Sequence, residues 1–301
     1  MDHRTRLFFC LLAVLLGFLP ASTFAQESVR VIVTFDYPGT GNSTTPFGIN
    51  QGGDITGYYL DSAGVSRGFI RYRDGSFSAP IVDPNDTGNF TQSTGINSAQ
   101  TVVGGFITSV DNSEHGFLLN GGVFTQFDFG GPVSTNVSGI NDAGDFVGIF
   151  GSVTQSNQGF VNINGTTTVL NIPGATLSDI SGINNLDRIV GGYFDAASVE
   201  HGVEIGSNGA VRAPLDFPGA VGTLFRGIND RGSVVGRYVN SDGSVHGLLF
   251  RLPNTFISFD YPGAVETSLN GINNAGYIAG RYTDAAGVRH GFLAKVGRAA
   301  N

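Results

Sequence analysis

The tripeptide Gly-Ile-Asn occurs six times in this chain, beginning at Gly48, Gly95, Gly139, Gly182, Gly227 and Gly271, at spacings of 47, 44, 43, 45 and 44 residues. Each copy is followed by a hydrophobic-Gly-x-aromatic stretch such as Val103-Gly104-Gly105-Phe106 or Val235-Gly236-Arg237-Tyr238. A basic or amide residue, Gly and an apolar pair come next, as in His115-Gly116-Phe117-Leu118 and His290-Gly291-Phe292-Leu293. A fourth segment closes the unit: Phe35-Asp36-Tyr37-Pro38-Gly39 returns as Phe259-Asp260-Tyr261-Pro262-Gly263, with looser copies at Asp83, Asp128, Asn171 and Asp216. A period near 45 fits four short strands with their turns, the content of one β-propeller blade. Glycine and β-branched residues throughout the unit argue against a helical repeat. A β-solenoid is the other candidate, but its coils are shorter and it needs end caps that the sequence lacks.

The turn chemistry supports strands. Asn141-Asp142-Ala143-Gly144 and its equivalents fit a type I turn closed by a positive-φ glycine between the first two strands, and Asp61-Ser62-Ala63-Gly64 does the same between the second and third. Asp74-Gly75, Asn164-Gly165 and Asn208-Gly209 read as two-residue hairpins between the third and fourth. The Pro-Gly step suits a type II turn that opens the crossover to the next blade. The last repeat ends after Phe292-Leu293 without a fourth strand, whereas Val29 to Asp36 precedes the first Gly-Ile-Asn as a spare one. Pairing the two gives an all-β, six-bladed β-propeller closed by its N-terminal strand, with no edge left over.

The first 25 residues resemble a secretory signal, with Arg4 and Arg6 before the apolar run Leu7 to Leu19 and small residues at Ala21-Ser22-Thr23-Phe24-Ala25. The run is shorter than the about 20 residues that a membrane span needs. The reading is a signal peptide at 1–25, a single propeller domain at 26–301, and a secreted or periplasmic product with no membrane span. Cys10, the only cysteine, lies in the signal, so the mature chain forms no disulfide. Formal net charge is −8 and Lys295 is the only lysine, which argues against nucleic-acid binding.

These motifs resemble the HAF-repeat family of extracellular bacterial proteins, named for a His-Ala-Phe tripeptide. The middle residue here is Gly in all six copies, and Arg67 and Gln158 replace the histidine in the first and third. The resemblance covers about residues 31 to 296 and implies export and a repeat fold, with no activity that attaches to particular residues.

Repeated polar residues invite a catalytic reading, which the repeat itself weakens. His115, His201, His246 and His290 share one position with Arg67 and Gln158. Arginine does not ligate a metal, yet all three residue types donate hydrogen bonds, so these side chains are expected to tie each blade to its own turns. Asp36, Asp83, Asp128, Asp216 and Asp260 share theirs with Asn171 and are expected to cap the Pro-Gly turn. The slot holding Tyr59, Phe106, Phe150, Tyr193, Tyr238 and Tyr282 reads as packing between blades. Val110 to Glu114 lacks the Asp-x-Asp-x-Asp-Gly pattern of a calcium loop. No catalytic, cofactor or metal residue is assigned. Function is better sought where the repeats differ, and the variable residue of the second strand supplies three ligand-binding candidates: Tyr58, Arg237 and Arg281. The two arginines fall in adjacent repeats and fit an anion or carboxylate clamp. The leading expectation is a monomeric non-catalytic scaffold binding carbohydrate, a small anion or another protein, without a cofactor. The alternative is a propeller enzyme of glycoside hydrolase, lyase or lactonase type with its site on the axis.

Overall fold

A computed structural model describes residues 27–39, 43–130, 134–152, 155–251 and 254–298; the expected signal at 1–25 lies outside the described residues. All regular structure in it is β, without a helix. No helix is long and apolar enough to cross a membrane among the described residues.

Each repeat forms an antiparallel meander. In the fifth, Gly222–Ile228, Ser233–Val239, Val245–Arg251 and Thr255–Phe259 pair in chain order. In the first, the fourth position is reduced to bridges at Phe77 and Ile81. In the last, Arg289–Arg298 has Glu27–Phe35 as its antiparallel neighbour, with Val33 opposite Leu293 and Thr34 opposite Phe292. The N-terminal strand thus pairs beside Phe292-Leu293 as the sequence leads one to expect.

The Gly-Ile-Asn signature has a physical reason at each position. A Cβ on Gly95 would come within 3.1 Å of the Gly139 Cα, and one on Gly227 within 3.1 Å of the Gly271 Cα, so the first strands of successive repeats pass too closely for a side chain. The isoleucines are buried. Each asparagine serves two repeats. Asn229 Oδ1 accepts the backbone N–H groups of Arg231 and Ser233 at 3.1 and 3.0 Å, fixing its own turn, while its Nδ2 donates to the Asn273 carbonyl at 3.0 Å. The same donation runs from Asn50 to Asn97, Asn97 to Asn141, Asn141 to Asn184 and Asn184 to Asn229. Asn273 donates to the Asn50 carbonyl at 3.1 Å, joining the last repeat to the first.

Farther out, aromatic pairs clasp one repeat to the next. Phe217, on the crossover after the fourth repeat, lies flat on Tyr238 of the fifth with centroids 3.7 Å apart, and Tyr261 on Tyr282 likewise at 3.7 Å. The backbone N–H of Phe217 donates to the buried Thr223 hydroxyl at 3.0 Å, holding the crossover against the next first strand. The aromatic slot therefore packs between repeats, as anticipated. Stacked pairs of this kind are each worth about 0.5–1.5 kcal/mol beyond their area.

Two local expectations are corrected. Asn164-Gly165 is a two-residue turn with both φ angles positive, and Gly121-Gly122 is another. Asp74-Gly75 and Asn208-Gly209 instead lie in longer turns whose glycine is the single positive-φ residue, closed by Tyr72 N–H to Ser76 and Gly206 N–H to Ala210. Among the described residues, no side-chain bond joins Asp128, Asp216, Asp260 or Asp36 to the turn that follows it. Each accepts from Nδ1 of a histidine on the neighbouring third strand, at 2.9, 2.8, 2.8 and 2.9 Å. An imidazole N–H on the neighbouring strand takes the place of a backbone N–H as the carboxylate's donor. Asp83, whose repeat carries Arg67 in the histidine position, keeps the turn role and accepts the Asn85 N–H at 2.8 Å.

The histidines stay structural in geometry. His201 bridges Asp216 and, at 3.4 Å, Asp195 in the turn of its own repeat; His290 bridges Asp36 and Asp284 in the same way. Burial pulls the His115, His201 and His290 pKa values down, but their paired aspartates outweigh it and leave all three raised. Arg67 reproduces the link to the turn through Asp61 at 2.9 Å.

Candidate functional site

The repeated backbone carries one irregularity with consequences for chemistry. In all six repeats the pairing of the first and second strands shifts register just before the Gly-Ile-Asn glycine. Such a β-bulge places one extra residue against its partner strand and re-aims its side chain. The bulged residues are Phe47, Thr94, Ser138, Ser181, Arg226 and Asn270, and every one of them lines a single cavity of about 280 Å³ between the first strands. The backbone device is six-fold, but its side chains are almost all different.

The six Gly-Ile-Asn isoleucines form the floor. Ile49, Ile96, Ile140, Ile183, Ile228 and Ile272 border this cavity and also a small second one beyond, so they stand as an apolar collar between the two. On the far side, Asp142, Asn185, Asp230 and Asn274 are spent on one another: Asp142 N–H donates to Asn185 Oδ1, Asn185 N–H to Asp230 and Asp230 N–H to Asn274.

Above the bulge residues sit Gln92, Asn136 and Asp179. The lining divides by charge. Its neutral side has the Gln92 amide donating to Ser66 Oγ at 3.1 Å, Asn136 donating to Glu114 at 2.6 Å and the Thr94 hydroxyl donating to the Val137 carbonyl at 2.6 Å. Its ionic side has Asp179 facing Arg226 at 3.8 Å, with the guanidinium 5.9 Å from the Phe47 ring centroid. Burial raises the Glu200 carboxyl, with Arg237 and Arg226 opposing and Asp179 reinforcing; burial likewise raises Glu114 against its bond from Asn136.

The three candidates from the sequence lie on the second strands, and none of them is among the residues that line this cavity. Tyr58 stacks on Phe47 at 5.9 Å. Arg237 is paired with Glu200 at 3.2 Å and Arg281 with Glu266 at 3.4 Å. Burial lowers the Arg281 pKa, and nearby Arg289 adds to that, while Glu266 holds the charge in place. The two arginines are thus each committed to a carboxylate and do not converge as a free pair. The residues that reach the axis, Phe47, Arg226, Asp179, Gln92 and Asn136, were not among the candidates. Their signal was the same one: they too vary between repeats, at one and three positions before Gly-Ile-Asn. No group of three or more His, Cys, Asp or Glu side chains able to hold a metal occurs among the described residues.

No family model matches the chain, and no curated protein matches it in sequence. Solved structures do match. The β-propeller domain of the Trilobed protease from Pyrococcus furiosus superposes with a TM-score of 0.53 at 12% identity, covering 86% of this chain and 86% of that one. The fold is a β-propeller. The Aleuria aurantia lectin in complex with Fucα1-6GlcNAc is similar, at TM-score 0.52 and 11% identity over 85% of this chain and 94% of the lectin. So is a prolyl endopeptidase, at TM-score 0.55 and 12% identity over 92% of this chain but only 51% of the enzyme. Binding proteins and enzymes stand side by side among these neighbours, and such identities carry the fold alone.

Proposed function

We propose that this propeller has six blades, closes through its N-terminal strand, and serves as an exported, non-catalytic, monomeric binding protein whose axial cavity takes a small polar ligand of the carbohydrate class. Closure is supported by the pairing of Glu27–Phe35 with Arg289–Arg298 and by the asparagine links, which return from Asn273 to Asn50. Export is supported by the signal-like sequence of 1–25 and by the resemblance to HAF-repeat proteins.

The observation that carries the binding reading is the bulge ring. A fixed backbone turns side chains of five types from six repeats toward one axis, where structural economy alone would favour six like ones. Hydroxyls, amides, an aromatic face and one ion pair around about 280 Å³ suit a single sugar residue better than an extended peptide. Tyr58 supports the Phe47 face, while Arg237 and Arg281 are held by Glu200 and Glu266.

A glycan and metabolite screen by calorimetry, with Phe47→Ala and Asn136→Ala beside the parent protein, tests the reading. Binding that weakens in both variants is the expected result. A ligand that binds with unchanged affinity in both places the site elsewhere and overturns it. The enzyme alternative of glycoside hydrolase, lyase or lactonase type is favoured by one feature, the burial-raised Glu200 beside Asp179. Release of product from an oligosaccharide or lactone, lost in Glu200→Gln, would establish it.

A further inference from the structure

The arginines of this protein are not equally engaged. Glu204 holds both Arg188 and Arg212, Asp61 holds Arg67, and Arg237 and Arg281 hold their glutamates through hydrogen bonds. Arg226 differs. Among the described residues its guanidinium makes no hydrogen bond: it has the 3.8 Å approach to Asp179, the longest of the described ion pairs, the Phe47 ring at 5.9 Å, and the charge of Glu200 nearby. Its side chain is 25% exposed and is turned into the cavity by the bulge. A guanidinium carries five N–H donors in a planar fork matched to a carboxylate. No protein acceptor among the described residues lies in hydrogen-bond range of that fork, so its donors face the cavity, and an anionic ligand group gives them charge-assisted bonds.

The surroundings narrow the anion. Asp179 lies beside Arg226, and Glu114 and Glu200 lie close above. A dianion would meet these carboxylates with Arg226 as the one cation among the described lining residues, whereas a single negative charge exchanges with Asp179 one for one. Across the cavity Gln92, Thr94 and Ser138 present amide and hydroxyl groups, and Phe47 presents a ring face. Resting on the binding reading above, we infer that the ligand is an acidic sugar with one carboxylate, a uronic acid or a glycan ending in one. Its carboxylate seats on Arg226, its ring lies against Phe47 and its hydroxyls meet the neutral side. Asp179, released from Arg226, accepts from a sugar hydroxyl.

Calorimetric titration of the full chain with glucuronate, galacturonate, glucose, galactose and inorganic phosphate tests this. The expected result is that a uronate binds at least about tenfold more tightly than its neutral parent, and that Arg226→Gln removes the difference between the two. Asp179→Asn, which frees the guanidinium, is expected to keep or tighten uronate binding, and it serves if Arg226→Gln does not fold. Melting temperature and circular dichroism check both variants. Neutral sugars binding as tightly as uronates, with Arg226→Gln indifferent, overturn the acidic ligand and leave the cavity reading standing. Phosphate binding more tightly than uronates overturns it as well, and so does loss of uronate binding in Asp179→Asn. Absence of binding by all five overturns it too, and the broad screen then decides the cavity reading by itself.

Discussion

Replacing Asn229 by alanine removes a side chain that serves two repeats, and the cost follows from its three bonds. Arg231 N–H is near the surface and regains water, so its 3.1 Å bond counts for little. Ser233 N–H is buried, and losing its 3.0 Å acceptor leaves a donor that water does not reach. The Asn273 carbonyl loses the amide at 3.0 Å but keeps the Gly276 N–H. One buried bond lost at about 1 kcal/mol and one buried donor stranded at about 1–3 kcal/mol give roughly 3 kcal/mol. For a chain of this size that is a fall in melting temperature of about 6–12 °C. Urea denaturation measures it, with the slope unchanged if the native contacts elsewhere persist. Asn229→Asp separates the two functions. It keeps the acceptor for Ser233 but sets a carboxylate oxygen against the Asn273 carbonyl. This repulsion raises the aspartate's folded pKa, so the variant loses stability as pH rises through that value and regains it in acid, where the carboxyl donates. An Asn229→Ala loss under about 1 kcal/mol, or an Asn229→Asp protein as stable as the parent at neutral pH, refutes the double role.

The remaining predictions concern protonation, close approach and closure. Because His115, His201 and His290 are raised when folded, their contribution is fully present below the ordinary histidine value of 6.5 and is lost as pH climbs through the raised values. Their aspartate partners in the turns, such as Asp195 and Asp284, are lowered by backbone N–H donors, so their share is present above 3.8 and lost in acid. The melting temperature is therefore expected to fall as pH rises above 6.5, less steeply in His201→Gln; an equal slope in that variant refutes the assignment. Gly236→Ala drives a Cβ to 2.1 Å from the Leu224 carbonyl oxygen and is expected to cost more than about 3 kcal/mol, whereas Gly105→Ala meets only the movable Glu114 and Asn136 side chains and is expected to cost under about 1.5 kcal/mol by chemical denaturation. Val33→Cys with Leu293→Cys faces two thiols across the joined ends; oxidation closes a loop of about 260 residues and is expected to add up to about 5 kcal/mol, while failure to oxidise in the folded protein refutes the pairing.

The repeat period, the Pro-Gly crossovers and the N-terminal strand pairing were legible because each is written in local residue types: Pro38-Gly39 sets a turn whatever lies around it, with Gly39 at φ 78°. The bulge was not, because a one-residue register shift belongs to a pair of strands and leaves no mark on either one. Without it Arg226 reads as an ordinary polar residue of an alternating strand; with it the same side chain reaches the axis. The histidine–aspartate pairs fell between these cases. Both positions were visible as repeated, but their meeting across the third and fourth strands depends on register, and the local turn looked like the simpler use for the aspartate.

The isoleucine collar has a consequence for which part of a polymer this protein can recognise. A passage open at both ends could thread a chain and grip it anywhere along its length. Should Ile49, Ile96, Ile140, Ile183, Ile228 and Ile272, which border both cavities, close the passage between them, entry and exit would share one mouth and a polymer would need a terminus to put there. A polymer bound in such a cup is counted by its free ends. Enzymes that cut it multiply the sites this protein sees, and branching does the same without any cutting.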